Sequence, residues 1–64
     1  MKDYHLILRE AREKRGTSQG QLAQTLGTSQ AFISQIESGR KNPSIDMLIR
    51  MCQALDIRLF PDEE

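Results

Sequence analysis

The stretch SQGQLAQTLGTSQAFISQIES, residues 18–38, reads as two short helices broken by Gly27. The first opens with a capping box, in which Ser18 can accept from the Gln21 backbone N–H while the Gln21 side chain reaches back. Leu22, Ala23 and Leu26 then recur at helical spacing. Gly27 suits a left-handed turn, Ser29 can cap the second helix and Gly39 can end it. The segment is a helix, a tight turn and a helix, and the second helix sorts its residues by face.

At about 100° per residue, with Gln30 at zero, Gln30, Ser34, Ala31 and Gln35 fall at roughly 0°, 40°, 100° and 140°. Phe32, Ile36 and Ile33 fall at roughly 200°, 240° and 300° on the same wheel. One face is apolar and must pack. The other is small or amide-bearing and carries no acid. Gln can bond adenine N6 and N7 together, Ala can touch a thymine methyl, and Ser can donate or accept. Gln30, Ala31, Ser34 and Gln35 are therefore expected to contact bases in a major groove; plain solvation is the competing reading.

From Ser18 to Pro43 the chain resembles the lambda-repressor-like (Cro/repressor, XRE) helix-turn-helix family. The resemblance rests on Ser18, Gln19, Leu22, Ala23, Leu26, Gly27, Ser29, Gln30, Ile33, Ser34, Ile36, Glu37 and Gly39, followed by Asn42, Pro43 and Ser44. With the apolar stretch from Ile45 to Leu55 it covers nearly the whole chain. It implies binding to a double-stranded DNA operator, usually as a homodimer. It also implies that Gln19, at the start of its helix, bonds a phosphate and braces Gln30.

Sixty-four residues make one domain, near the lower limit of what a hydrophobic core alone can hold. No apolar run approaches the ~20 residues of a membrane span, and Met1 and Lys2 lead into a charged stretch rather than a signal sequence. A single Cys gives neither a disulfide framework nor a zinc site, which fits a reducing cytoplasm and no metal or other cofactor. The formal net charge is zero, yet residues 1–55 carry eight basic and five acidic side chains. The acidic excess sits in Asp56, Asp62, Glu63 and Glu64. Phosphate affinity follows local charge, so the neutral total does not exclude DNA.

Residues 3–15 read as a first helix with Asp3 as cap, Leu6, Ile7 and Ala11 on one side, and Gly16 as its end. His5 is expected on its exposed first turn and Tyr4 in packing. The resemblance implies that Arg12 pairs with Glu37 and holds the second helix of the motif against this first helix of the chain. The alternative is a free Arg12, with Glu37 left to repel a DNA backbone. Gly20 stands where the family pattern has a helix former, at a cost of roughly 1 kcal/mol of helix propensity.

After Gly39 come Arg40, Lys41, Asn42 and Pro43, a cationic loop that follows the second helix of the motif. The expected phosphate contacts are Gln19, Ser29, Arg40, Lys41 and Asn42. Ser44 caps a last helix, Ile45 to Leu55, that is apolar over a wide arc. Ile45, Leu48, Ile49, Cys52 and Leu55 form its expected core stripe, with Met47, Met51 and Ala54 on the adjoining sector. Beyond it Ile57 and Leu59 alternate with Arg58 before Pro61, which predicts a short strand over residues 57–60; the alternative is a frayed tail. Such a strand is similar to that of HipB-type antitoxins, whose dimers pair it across the two-fold. The expected dimer interface is Met47, Met51, Leu55, Ile57, Leu59 and Phe60.

The reading is an all-α, compact four-helix domain over residues 1–64, with the helix-turn-helix at 18–38 and the recognition helix at about 30–37. Its expected function is sequence-specific DNA binding as a homodimeric transcriptional regulator, a repressor. The chain offers no nucleophile–base–acid set and no phosphate-cradling loop, so catalysis is not expected. The alternatives are an antitoxin that represses its own operon and binds a toxin protein, and an adaptor that binds protein without DNA.

Overall fold

The described residues form four helices: α1 (Tyr4–Lys14), α2 (Gln19–Leu26), α3 (Gln30–Glu37) and α4 (Ile45–Ala54). The computed structural model describes residues 3–57, and among these there is no strand. None of these helices is long and apolar enough to cross a membrane.

Each helix begins and ends for a local reason. Ser18 accepts from the Gln21 N–H at 3.0 Å while the Ser18 N–H donates to Gln21 Oε1 at 2.9 Å, which completes the capping box of α2. Ser29 and Ser44 accept from the N–H groups of Phe32 and Met47, both at 3.1 Å, and open α3 and α4. Asp3 stands at the cap position of α1 in extended conformation, but its side chain makes no capping bond. All four helices close with a backbone bond back across the last turn: Thr17 to Arg12, Thr28 to Ala23, Arg40 to Gln35 and Ile57 to Cys52. Gly27 supplies the left-handed residue (φ 71°) between α2 and α3.

The core is made by Leu8, Leu22, Ala23, Leu26, Ile33, Ile36, Met51, Cys52 and Leu55. α3 packs on both α2 and α1, while α4 closes the far side of α2. Arg50 Nη2 donates to the Leu26 carbonyl at 2.9 Å, so α4 also satisfies one of the free carbonyls that end α2.

Two helices are turned differently from their sequence expectation. In α1 the buried residues are Leu8 and Arg12, whereas Leu6 and Ile7 are exposed. A one-helical-turn pair beginning at Leu8 faces the core because Arg12 has a buried acid to meet. In α4 the inward residues are Met51 and Cys52, with Leu55 just beyond, and Ile45 and Ile49 face outward. Met51 and Leu55, expected at a dimer interface, are thus core residues of this chain, 0% and 4% exposed. Met47 packs against the core and keeps part of its surface. The strand expected over residues 57–60 is not seen at its first residue: Ile57 closes the end of α4 through its N–H and packs against the core. Leu59 and Phe60 lie outside the described residues.

Candidate nucleic-acid interface

α3 presents its residues in two sets. Ile33 and Ile36, both 0% exposed, anchor it, and Phe32 packs part of its ring against the same core. Gln30, Ala31, Ser34 and Gln35 are all exposed. Their side chains take no hydrogen-bond partner among the described residues, so two carboxamides and a hydroxyl stand free on one surface. Free carboxamides and hydroxyls at this spacing can match the donor and acceptor pattern of base edges.

Behind this surface a buried polar network fixes the pitch of α3. Arg12 Nε donates to Glu37 Oε2 at 2.7 Å and Arg12 Nη2 to Glu37 Oε1 at 3.0 Å. Arg12 Nη1 donates to the Thr17 carbonyl at 2.7 Å, and Gln19 Nε2 donates to Glu37 Oε1 at 3.0 Å. The Glu37 carboxylate on α3 therefore ties down α1 and the first residue of α2, while Arg12 also holds the turn between them. Charge-assisted, two-point pairing of this kind fixes orientation as well as distance. The hydrogen bond to Glu37, and then its negative charge, raise the Arg12 pKa against the opposing effect of burial. The brace that the family resemblance placed between Gln19 and Gln30 runs instead from Gln19 to Glu37.

The loop after α3 is held close to that helix. The N–H groups of Arg40 and Lys41 both bond the Gln35 carbonyl, at 2.9 and 3.2 Å, and turn the chain back beside the exposed face. Lys41 Nζ stands 5.3 Å from the centroid of Phe32, a cation–π contact that holds the ammonium near α3. The side chains of Arg40, Lys41 and Asn42 lie at the surface. Asn42 Oδ1 accepts a hydrogen bond from the Tyr4 hydroxyl. Ser29 uses its oxygen to cap α3 and keeps its hydroxyl hydrogen as a donor.

The structure thus brings Gln30, Ala31, Ser34 and Gln35 onto one face, with Gln19 and Ser29 near the helix starts and residues 40–42 past its end. Three features escaped the sequence reading: the Tyr4–Asn42 bond, the Arg50–Leu26 bond and the seat of Lys41 on Phe32. The first two join residues 38 and 24 apart in sequence and the third folds the loop back over α3, and no local pattern announces such pairings. No group of three or more metal-ligating side chains occurs among the described residues.

Residues 8–60 match the helix-turn-helix family. The chain is 36% identical over 53 residues to the transcriptional regulator ClgR of Mycobacterium tuberculosis, covering 83% of this chain and 47% of ClgR. It is 40% identical over 52 residues to the uncharacterized HTH-type transcriptional regulator y4dL of Sinorhizobium fredii, covering 81% of this chain and 26% of that protein. It is also 37% identical over 51 residues to the uncharacterized HTH-type transcriptional regulator Rv0474 of Mycobacterium tuberculosis, covering 80% and 36%. The chain spans less than half the length of each of these relatives. No solved structure matches it.

Proposed function

Because this chain belongs to the lambda-repressor-like (XRE) helix-turn-helix family, we propose that it binds duplex DNA with α3 in the major groove and regulates transcription as a homodimeric repressor. The observation that carries the reading is the exposed Gln30, Ala31, Ser34 and Gln35 face, free of internal partners and followed by Arg40 and Lys41. Gln30 and Gln35 would read bases, Ala31 and Ser34 would fit between them, and Gln19, Ser29, Arg40, Lys41 and Asn42 would hold phosphates. The three curated relatives are transcriptional regulators by name, which supports the same reading.

One such motif covers a single half-site, so two copies about one helical turn apart give useful affinity. The exposed Ile45 and Ile49, four residues apart on α4, support an apolar contact between copies. The test is binding of the chain to fragmented genomic DNA, sequencing of what is retained, and titration of the enriched duplex against salt. The reading requires an enriched, two-fold symmetric sequence bound with a negative salt slope. Absence of enrichment at every salt concentration overturns it.

A further inference from the structure

The first turn of α1 is docked on the loop that follows α3. The Tyr4 hydroxyl donates to Asn42 Oδ1 across 38 residues of sequence. Beside it, the His5 ring lies against Gly39, so close that a Cβ there would meet His5 Cε1 and Nε2 at 3.2 Å. Gly39 also has φ +80°, so a side chain at that position is disfavoured twice. Two consecutive residues of α1 thus clasp both ends of the segment that carries Arg40 and Lys41.

The bond to Tyr4 has a chemical consequence. A carboxamide has an accepting end and a donating end, and both rotate together about one bond. With Oδ1 committed to the Tyr4 hydroxyl, the two Nδ2 hydrogens of Asn42 face away from it, and Asn42 is exposed. A phosphate oxygen accepts and never donates, so only the donating end of Asn42 can bond one.

We propose that Tyr4 is a positioning residue for DNA: its hydroxyl holds the Asn42 carboxamide with the N–H groups turned toward the phosphate beside Arg40 and Lys41. The inference rests on the DNA-binding reading above. Tyr4 itself touches no DNA. Because Tyr4 and Asn42 are both exposed, their bond adds little to folding stability, and its value appears on binding.

The test uses the full chain with Tyr4→Phe, Asn42→Ala, Asn42→Asp and the Tyr4→Phe/Asn42→Ala double variant. Affinity for a mixed-sequence linear duplex at low salt is measured by fluorescence anisotropy, alongside thermal melting. Tyr4→Phe is expected to weaken binding about 3- to 10-fold, the scale of one lost hydrogen bond, with an unchanged melting temperature. Asn42→Ala should weaken it by at least as much, and Tyr4→Phe should add nothing in that background. Asn42→Asp keeps the acceptor for Tyr4 but replaces the donor with a negative charge, so it should bind more weakly than Asn42→Ala. Independent, additive losses from Tyr4→Phe and Asn42→Ala, or no loss from Tyr4→Phe, overturn the proposal. A wild-type chain that binds, and that Lys41→Ala weakens while Tyr4→Phe does not, overturns this inference alone. Absence of wild-type binding at any salt overturns the DNA reading together with it.

Discussion

Arg12 and Glu37, 25 residues apart, meet in a two-point pair with both side chains nearly sealed from water. The Arg12 side chain is 10% exposed and that of Glu37 is 3% exposed, so removing one partner strands the other charge in the interior. The penalty for such a stranded charge exceeds what the intact pair contributes.

Glu37→Ala should therefore cost roughly 3–5 kcal/mol, a large part of the roughly 5–15 kcal/mol that holds a small domain folded. Arg12→Met combined with Glu37→Leu should recover most of that loss, because no charge is left unpaired. Urea denaturation of the single and double variants checks both statements. Equal destabilisation in the two would mean that the pair contributes a net attraction beyond desolvation.

Gln30 and Lys41 should fail in different ways. Gln30→Ala is expected to cost about 1–3 kcal/mol on the preferred duplex and to relax the choice at one base pair. Lys41→Ala should weaken all sequences alike and flatten the salt slope by about one. Titrations on enriched and random duplexes separate the two, and matching profiles would remove the division of labour between them.

Gly20 offers a stabilising change. It lies in the first turn of α2, and a Cβ there would stand 3.5 Å from Gln30 Oε1 and 3.9 Å from Ser18 Oγ, ordinary contact distances. Gly20→Ala should gain up to about 1 kcal/mol from helix propensity alone. A melting temperature that falls instead would show that the Gln30 side chain needs the open space.

Burial pushes the Cys52 thiol up from its ordinary value. The folded chain then keeps its proton at a pH where the unfolded chain would lose it. The resulting stabilisation is full below the ordinary thiol range and fades as pH rises through the folded value. Denaturation midpoints should fall as pH rises above the ordinary thiol value of about 8.5, and Cys52→Ala should show a shallower fall. Parallel curves for the two proteins would place the alkaline transition in other groups.

The proposed homodimer has a direct test in sedimentation. Ile45→Asp combined with Ile49→Lys on the outer face of α4 should make the chain monomeric at micromolar concentration and cost most of its affinity for the enriched duplex, with its base preference intact. If it stays dimeric, a further truncation after Ile57, which keeps the residue that closes α4, should dissociate it. Dimers surviving all three changes would remove both surfaces.

What could be read in the sequence was what neighbouring residues decide. Ser18 with Gln21, Ser29, Ser44 and Gly27 mark helix ends through bonds only a few residues long, and their positions follow from chemistry alone. The outward face of α3 was legible because its two sets of residues differ so sharply in polarity. The rotation of α4 was not, since a helix apolar over most of its circumference has no unique inner side; Met51 went in and Ile49 stayed out. Leu8 was missed in α1 because its partner one turn on, Arg12, is a charge, and burial of that charge depends on an acid in another helix. The Tyr4–Asn42 bond depends on the finished fold in the same way.

The free face of α3 also bears on how such a domain can diversify. Gln30, Ala31, Ser34 and Gln35 are exposed, and none of their side chains bonds within the described chain, whereas Ile33, Ile36 and Glu37 carry the packing. Exchanges at exposed sites of this kind usually shift stability by no more than about 0.5 kcal/mol. If that face reads DNA as proposed, a duplicated copy could drift to a new target sequence one residue at a time, every intermediate remaining folded, because address and scaffold are written in separate letters of the same helix.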